Sequence, residues 1–296
     1  MGVNFEWLDD GRLKLSQPHL IDQVIEEVGL HEKGAIRQTP AVSGRVLHRD
    51  IKAPKFKGSF HYRRVIGKLN FLSKSTRPDI EYAVHQCARF CEDPRKSHGD
   101  AIVHLAKYLK GTRDKGLIFD PKKDESLRVY ADADFAGNWF PPTAPVDPST
   151  AKSRSGYVIL FAGCPLIWAS KLQTFIALST TEAEYMSLSQ SLRDTIPVMS
   201  LLEELKKRGF STYSSTPYVY CKAFEDNSGA LELARAPKLR PRTKHINQVF
   251  HHFREHVRQG LIHIYPVSTD DQLADMLTKP LPQNVFVLHR NRLMKW

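Results

Sequence analysis

Carboxylates set among apolar neighbours are the chemistry-bearing feature of this sequence. In "LRVYADADFAG", Asp132 and Asp134 continue a run in which Leu127, Val129 and Ala131 alternate with polar positions. A strand's period of two puts both aspartates on one face, roughly 7 Å apart. Carboxylates inside a strand are costly unless something positive binds them. In "STTEAEYMSL", Glu182 and Glu184 fall within one helical turn. Ser179 and Glu182 fit a capping box, which gives Glu182 a structural task. Glu184 shares a helical stripe with Leu188 and Leu192 and is the chemical candidate. "FEDNSGALELA" sets Asp226-Asn227 where a strand ends and a helix begins. That place suits an N-cap, and it is also where α/β sheets hold their ligands. In "STDDQLADML", Thr269 and Gln272 fit a second capping box. Asp275 then lies inside the helix among apolar residues, where propensity disfavours it. Carboxylates on four separate elements predict a divalent-metal site of oxygen ligands.

The elements that must position them follow "KGTRDKG". "LIFDPKKDESLRVYADADFAG", "SGYVILFAG" and "PLIWASK" read as strands, with Gly163-Cys164-Pro165 as a turn. A helical stretch runs from about Thr181 to Arg208, and Pro197 is expected to split it. "PYVYCKAF" and "LIHIYPV" read as two more strands. Helices are expected at about Ser228–Arg235 and His245–Gln259, and "DDQLADMLTK" as a closing helix. The sum is an α/β domain with a mixed sheet of about five strands covered by helices. Upstream, Asp10-Gly11 marks a hairpin, and a helix carrying Leu20, Val24, Ile25 and Val28 stops at Gly29. Residues 31–60 read as a linker, and 60–112 as helices broken at Pro78 and Pro94.

The 296-residue chain carries 43 Lys and Arg against 32 Asp and Glu, a net charge of +11. That balance favours a polyanionic partner. The excess is clustered: residues 51–120 hold 15 Lys/Arg against 7 Asp/Glu. Arg235–Arg258 adds a second basic block with Glu255 as its one acid. No apolar run approaches the roughly 18–20 residues of a membrane span, and no secretory-signal core is visible at the N-terminus. Cys87, Cys91, Cys164 and Cys221 form no CxxC pair, which argues against a zinc site and for reduced thiols in an intracellular protein.

The strings "YADADFAG", "SGYVI", "ASKLQTFIALSTTEAEY", "EDNSGALELA", "RPRTKHI" and "QLADMLTKPL" resemble, in order and spacing, the ribonuclease H domain of copia-type retrotransposon Pol polyproteins. "LSQPHLIDQVIEEVGL", "IGKLNFLSKSTRPDI" and "HLAKYLKGT" resemble the thumb and connection of that family's reverse transcriptase. The resemblance implies a ribonuclease H-like mixed five-stranded sheet with flanking helices at 117–296, after a mainly helical region at 1–116. It implies an Asp-Glu-Asp-Asp set, Asp132, Glu184, Asp226 and Asp275, holding two Mg²⁺ ions, with Mn²⁺ as an alternative. The choice of Asp132 over Asp134 rests on it alone. The substrate implied is an RNA–DNA hybrid, with phosphates held by Lys107, Lys110, Arg240, Arg242, Lys244 and His245.

The sequence departs from the family in two ways. Many ribonucleases H carry a histidine in the loop before the last Asp, and "YPVSTDDQLAD" has none. "WLDD" at 7–10 only mimics a polymerase Y-x-D-D turn, so a palm is expected upstream, as a partner in the same polyprotein. Polymerisation by this chain alone is not expected. The location expected is intracellular: the cytoplasm, in a virus-like particle, or the nucleus. The rival readings are a non-catalytic nucleic-acid-binding remnant and a structural fragment of a larger polymerase. Two ions about 3.5–4 Å apart require Asp132 and Asp226 to lie within about 8 Å of each other.

Overall fold

"WLDDG" closes a hairpin. In the computed structural model, which describes residues 2–30, 35–123, 126–145, 147–212, 218–236 and 248–296, β1 (Asn4–Trp7) pairs antiparallel with β2 (Leu13–Ser16). Gly11 turns the chain at φ +82°, a conformation glycine adopts without strain. α1 (Pro18–Val28) buries Leu20, Ile21, Val24 and Val28 and ends at Gly29, φ +76°. α2 (Tyr62–Ser75), α3 (Glu81–Ala88) and α4 (Lys96–Gly111) follow. Pro78 opens a short 3-10 turn between α2 and α3. There Arg77 and Asp79, both fully buried, form an ion pair at 2.8 Å. The Tyr108 hydroxyl donates to the same carboxylate at 2.6 Å.

β3 (Leu117–Phe119) pairs with β2, not with the later strands. Together with Gly137–Ala151 and Lys279–Trp296, the N-terminal 119 residues form one compact unit. The expected division at 116/117 therefore differs from the structure twice. Residues 117–119 complete the N-terminal sheet, and the chain returns to this unit through a helix at Gln283–Met294. "LIF" reads as a strand in any sheet, and nothing local names its partner.

The second unit, Asp120–Ala136 with Lys152–Thr278, contains β4 (Leu127–Asp134), β5 (Arg154–Phe161) and β6 (Cys164–Leu172) as an antiparallel meander. α5 (Thr180–Lys207), β7 (Cys221–Glu225), α6 (Ser228–Arg235), α7 (Arg254–Arg258), β8 (Ile262–Pro266) and α8 (Asp275–Thr278) follow. The strand order is β6-β5-β4-β7-β8, with β7 parallel to both β4 and β8. This is the mixed five-stranded sheet with flanking helices that the resemblance implies. Val129, Ala131, Ile159 and Ala223 meet Tyr185, Leu188 and Leu192 of α5 in its core, each large side chain contributing about 1.5–3 kcal/mol.

Pro197 does not split α5, which runs unbroken through it. Leu192, Thr195, Met199 and Leu202 are buried on both sides of the proline, and they keep one helical phase. Their packing outweighs the one backbone bond that proline removes. The helix expected at His245–Gln259 is shorter: a 3-10 turn at Gln248–His251 and then α7, residues 237–247 lying outside the described ones. "DDQLADMLTK" divides into a 3-10 turn, Thr269–Asp271, and the four-residue α8. The Thr269–Gln272 capping box is not formed, because the Gln272 amide instead donates to the Ala131 carbonyl at 2.8 Å.

Candidate metal centre

Asp132 and Asp226 come together by strand register. β4 and β7 run parallel with Leu127 opposite Cys221 and Tyr130 opposite Phe224. The ladder ends there; continued by two residues, past the end of β7, that register leads to Asp132 and Asp226 as neighbours, and neighbouring strands lie about 4.8 Å apart. Asp132 is buried and Asp226, just past the end of β7, is half-buried. Asn227 is the N-cap of α6, accepting from the Ala230 N–H at 2.9 Å, which leaves the Asp226 carboxylate outside the cap. Thr269 donates to Asp226 Oδ2 at 3.2 Å.

Glu184 arrives from α5. Ser179 caps that helix by accepting from the Glu182 N–H at 3.1 Å. The Glu182 carboxylate reaches back to the Leu178 N–H at 2.7 Å, one residue beyond the cap itself. One turn after Glu184, the Ser187 hydroxyl donates to the Asp132 backbone carbonyl at 2.7 Å. That bond pins α5 to β4 beside the carboxylates. Asp132, Glu184 and Asp226 each offer an oxygen within 4.8 Å of the others, inside the limit of about 8 Å that two shared ions set.

Asp275 is not in that set of three. It is buried at the start of α8, whose Thr278 hydroxyl bonds Asp132 Oδ2 and lies 3.1 Å from the Asp275 carbonyl. Asp134 also stands outside the set, at the end of β4 opposite Arg154. Lys107 and Lys110 lie on α4 in the other unit. Arg240, Arg242, Lys244 and His245 fall outside the described residues.

A further acid joins the cluster. Glu225, fully buried at the end of β7, accepts from the Asn227 N–H at 3.1 Å. β7 alternates buried Cys221, Ala223 and Glu225 with half-exposed Lys222 and Phe224, so a period-of-two reading of "CKAFE" could have found it. Burial, then the charges of Asp132, Glu225 and Asp226, push the Glu184 carboxyl up to about 11 against a weaker opposing bond from the Ala133 backbone. Burial also holds Glu225 well above its ordinary range. Among the described residues, Glu184 Oε2 and Glu225 Oε2 are buried with no hydrogen-bond partner. Oxygen donors alone, crowded and undersatisfied, fit a hard divalent cation.

No family model matches the chain. Relatives similar over most of it include three Pol polyproteins. The Retrovirus-related Pol polyprotein from transposon TNT 1-94 of Nicotiana tabacum is 33% identical over 94% of this chain and 20% of its own length. Those from transposons RE2 and RE1 of Arabidopsis thaliana are 36% and 37% identical, over 97% and 76% of this chain and 18% and 14% of their own lengths. The chain thus spans a fifth or less of these relatives. By these likenesses, on both compact units, the chain belongs to the copia-type retrotransposon Pol polyproteins.

Proposed function

We propose that the chain is a ribonuclease H that hydrolyses the RNA strand of RNA–DNA hybrids, its carboxylates holding two Mg²⁺ or Mn²⁺ ions. The observation that carries the reading is the convergence of Asp132, Glu184 and Asp226 within 4.8 Å at the ends of two parallel strands. Asp275, from the adjoining α8, completes the set. When bound, the cations supply a water of lowered pKa and charge neutralisation at the leaving 3′ oxygen. Asp132, on the central strand, would hold them together with Glu184 and Asp226. The crowding that raises the Glu184 carboxyl would be relieved by a bound cation, so metal binding there would compete with a proton. Ser187 and Thr278 fix Asp132 from its backbone and carboxylate sides. Selectivity for RNA comes from contacts to the 2′-hydroxyl. The partner is the reverse transcriptase palm of the same polyprotein, with Lys107, Lys110 and the Arg240–His245 block on phosphates.

The test is cleavage of a labelled RNA–DNA hybrid, with duplex DNA and free RNA as controls. Mg²⁺-dependent cutting of the hybrid's RNA strand alone, lost on Asp132→Asn, is the result expected. Hybrid binding without cleavage at any Mg²⁺ or Mn²⁺ concentration would leave only the binding remnant.

A further inference from the structure

A cavity of about 320 Å³ lies in the N-terminal unit, far in sequence from the carboxylates. Its walls are the irregular segment 37–47 and helices α3 and α4. Two bonds hold the segment on α4: His104 Nε2 meets the Thr39 carbonyl at 2.9 Å, and the Arg37 N–H donates to the Lys107 carbonyl at 3.4 Å. Ile36 lies close to the end of α4: a Cβ added at Gly111 would meet Ile36 Cβ at 3.2 Å. The wall is therefore built from specific contacts.

Charge around this cavity is one-sided. Arg37, Arg45 and Lys107 line it, with Asp100 as the one acid among its lining residues. None of the three cations is in an ion pair among the described residues. Burial holds the His104 imidazole below its ordinary range; the bond to Thr39 works against that, and the Arg37 and Lys107 charges add to it. The rest of the lining includes apolar Val42, Leu47 and Val103. A small concave site with an apolar wall and a few converging charges is the usual form of a small-molecule pocket. Clustered guanidinium and ammonium groups suit phosphate oxygens.

We propose that this cavity binds a single nucleotide, its phosphate on Arg37, Arg45 and Lys107 and its base or sugar against Val42, Leu47 and Val103. The volume is at the lower end for ligand sites and admits one nucleotide unit, not a duplex. The nucleotide is either free or the phosphorylated end of a strand, and both present the same chemistry. The assignment uses none of the carboxylates and shares with the nuclease reading only Lys107, which is why its test varies Arg37, Arg45 and Val42 instead.

The probe is adenosine 5′-monophosphate, titrated by calorimetry into the full chain in EDTA, which removes divalent cations from the experiment. Saturable binding is expected, with adenosine and inorganic phosphate each at least tenfold weaker. Arg37→Ala with Arg45→Ala, both exposed positions, should weaken it at least tenfold with the melting temperature unchanged. Val42→Trp keeps every charge and fills the cavity, so it should weaken binding to the same degree. A 5′-phosphorylated dinucleotide that binds as well as the mononucleotide identifies a strand end as the source; one that does not identifies the free nucleotide. No saturation at millimolar concentration, or binding that survives Val42→Trp, overturns the proposal, because the second result means surface charge alone attracts the probe.

Discussion

The hydroxyl of Thr278 hydrogen-bonds the carboxylate of Asp132, and the methyl of the same Thr278 covers Gly156, which faces Asp132 across the β4–β5 ladder. A Cβ at Gly156 would lie 2.6 Å from Thr278 Cγ2 and 2.9 Å from Leu277 Cβ. Gly156→Ala must therefore push α8, and Asp275 with it, off the sheet. The expected cost is about 1–3 kcal/mol of stability, read by denaturant titration, with loss of hybrid cleavage. Thr278→Val keeps the volume and removes the hydroxyl. It should fold with wild-type cooperativity and cleave at least tenfold more slowly. Wild-type cleavage in both variants would mean that α8 has no part in the site.

Glu182 and Glu184 should separate cleanly under mutation. Glu182→Gln keeps an acceptor for the Leu178 N–H, so it should cost less than about 1 kcal/mol and leave cleavage near wild type. Glu184→Gln should abolish cleavage in a folded protein. If the Glu182 variant is the dead one, the roles are reversed.

The cap at Ser179 was legible because capping grammar is local: Ser179 and Glu182 are three residues apart. The short stripe that carries Glu184 with Leu188 offers the chemical candidate, whose role these variants decide. Asp226 was harder, since either it or Asn227 could have capped α6. Only the fold gives the cap to Asn227. The end of the domain was misread because Gln272 bonds the carbonyl of Ala131, 141 positions away, and no window of sequence contains that partner. Pro197 was read by its backbone penalty alone, without the buried stripe that carries α5 past it. The returning segment after Thr278 has the same origin: its partners lie in the first 119 residues of the chain.

The buried ion pair of the "TRPDI" turn makes a stability prediction for the N-terminal unit. Asp79→Ala leaves the Arg77 guanidinium buried without its carboxylate and removes the acceptor of Tyr108. Breaking such a pair costs about 3–5 kcal/mol. Replacing both partners by apolar residues, Arg77→Met with Asp79→Leu, should recover most of that loss. Denaturant midpoints of the three proteins check this; a double variant no better than Asp79→Ala would show that the arginine's bonds to Thr112 dominate.

Lys107→Ala with Lys110→Ala should weaken hybrid binding and flatten its salt dependence. Each lost phosphate contact lowers the slope of log K against log salt by roughly 0.9 on B-DNA, with a similar order for a hybrid. Binding isotherms at several salt concentrations measure it, and an unchanged slope would remove α4 from the nucleic-acid contact.

The acidic cluster ties stability to pH and to metal, and the sign can be worked out. Glu184 has a folded-state pKa pushed up to about 11, above its unfolded value of about 4.3. A raised carboxyl binds more protons in the native state, so its stabilising contribution is complete below about pH 4.3 and is lost as pH rises toward 11. Glu225 shifts in the same direction. In EDTA, wild-type stability should therefore fall from pH 5 to pH 9. Glu184→Gln removes the largest part of that slope and should be more stable than wild type at pH 8, by on the order of 1–3 kcal/mol. Mg²⁺ or Mn²⁺ reverses the order. A ligand of the native state adds RT ln(1 + [L]/Kd), about 2.7 kcal/mol at a hundredfold excess over Kd, to wild type and much less to Glu184→Gln or Asp132→Asn. Thermal melts of the three proteins at pH 5 and pH 8, with metal and with EDTA, give the comparison. A wild type that melts at the same temperature with and without metal, and at both pH values, would mean that the convergence of Asp132, Glu184 and Asp226 carries neither strain nor cation.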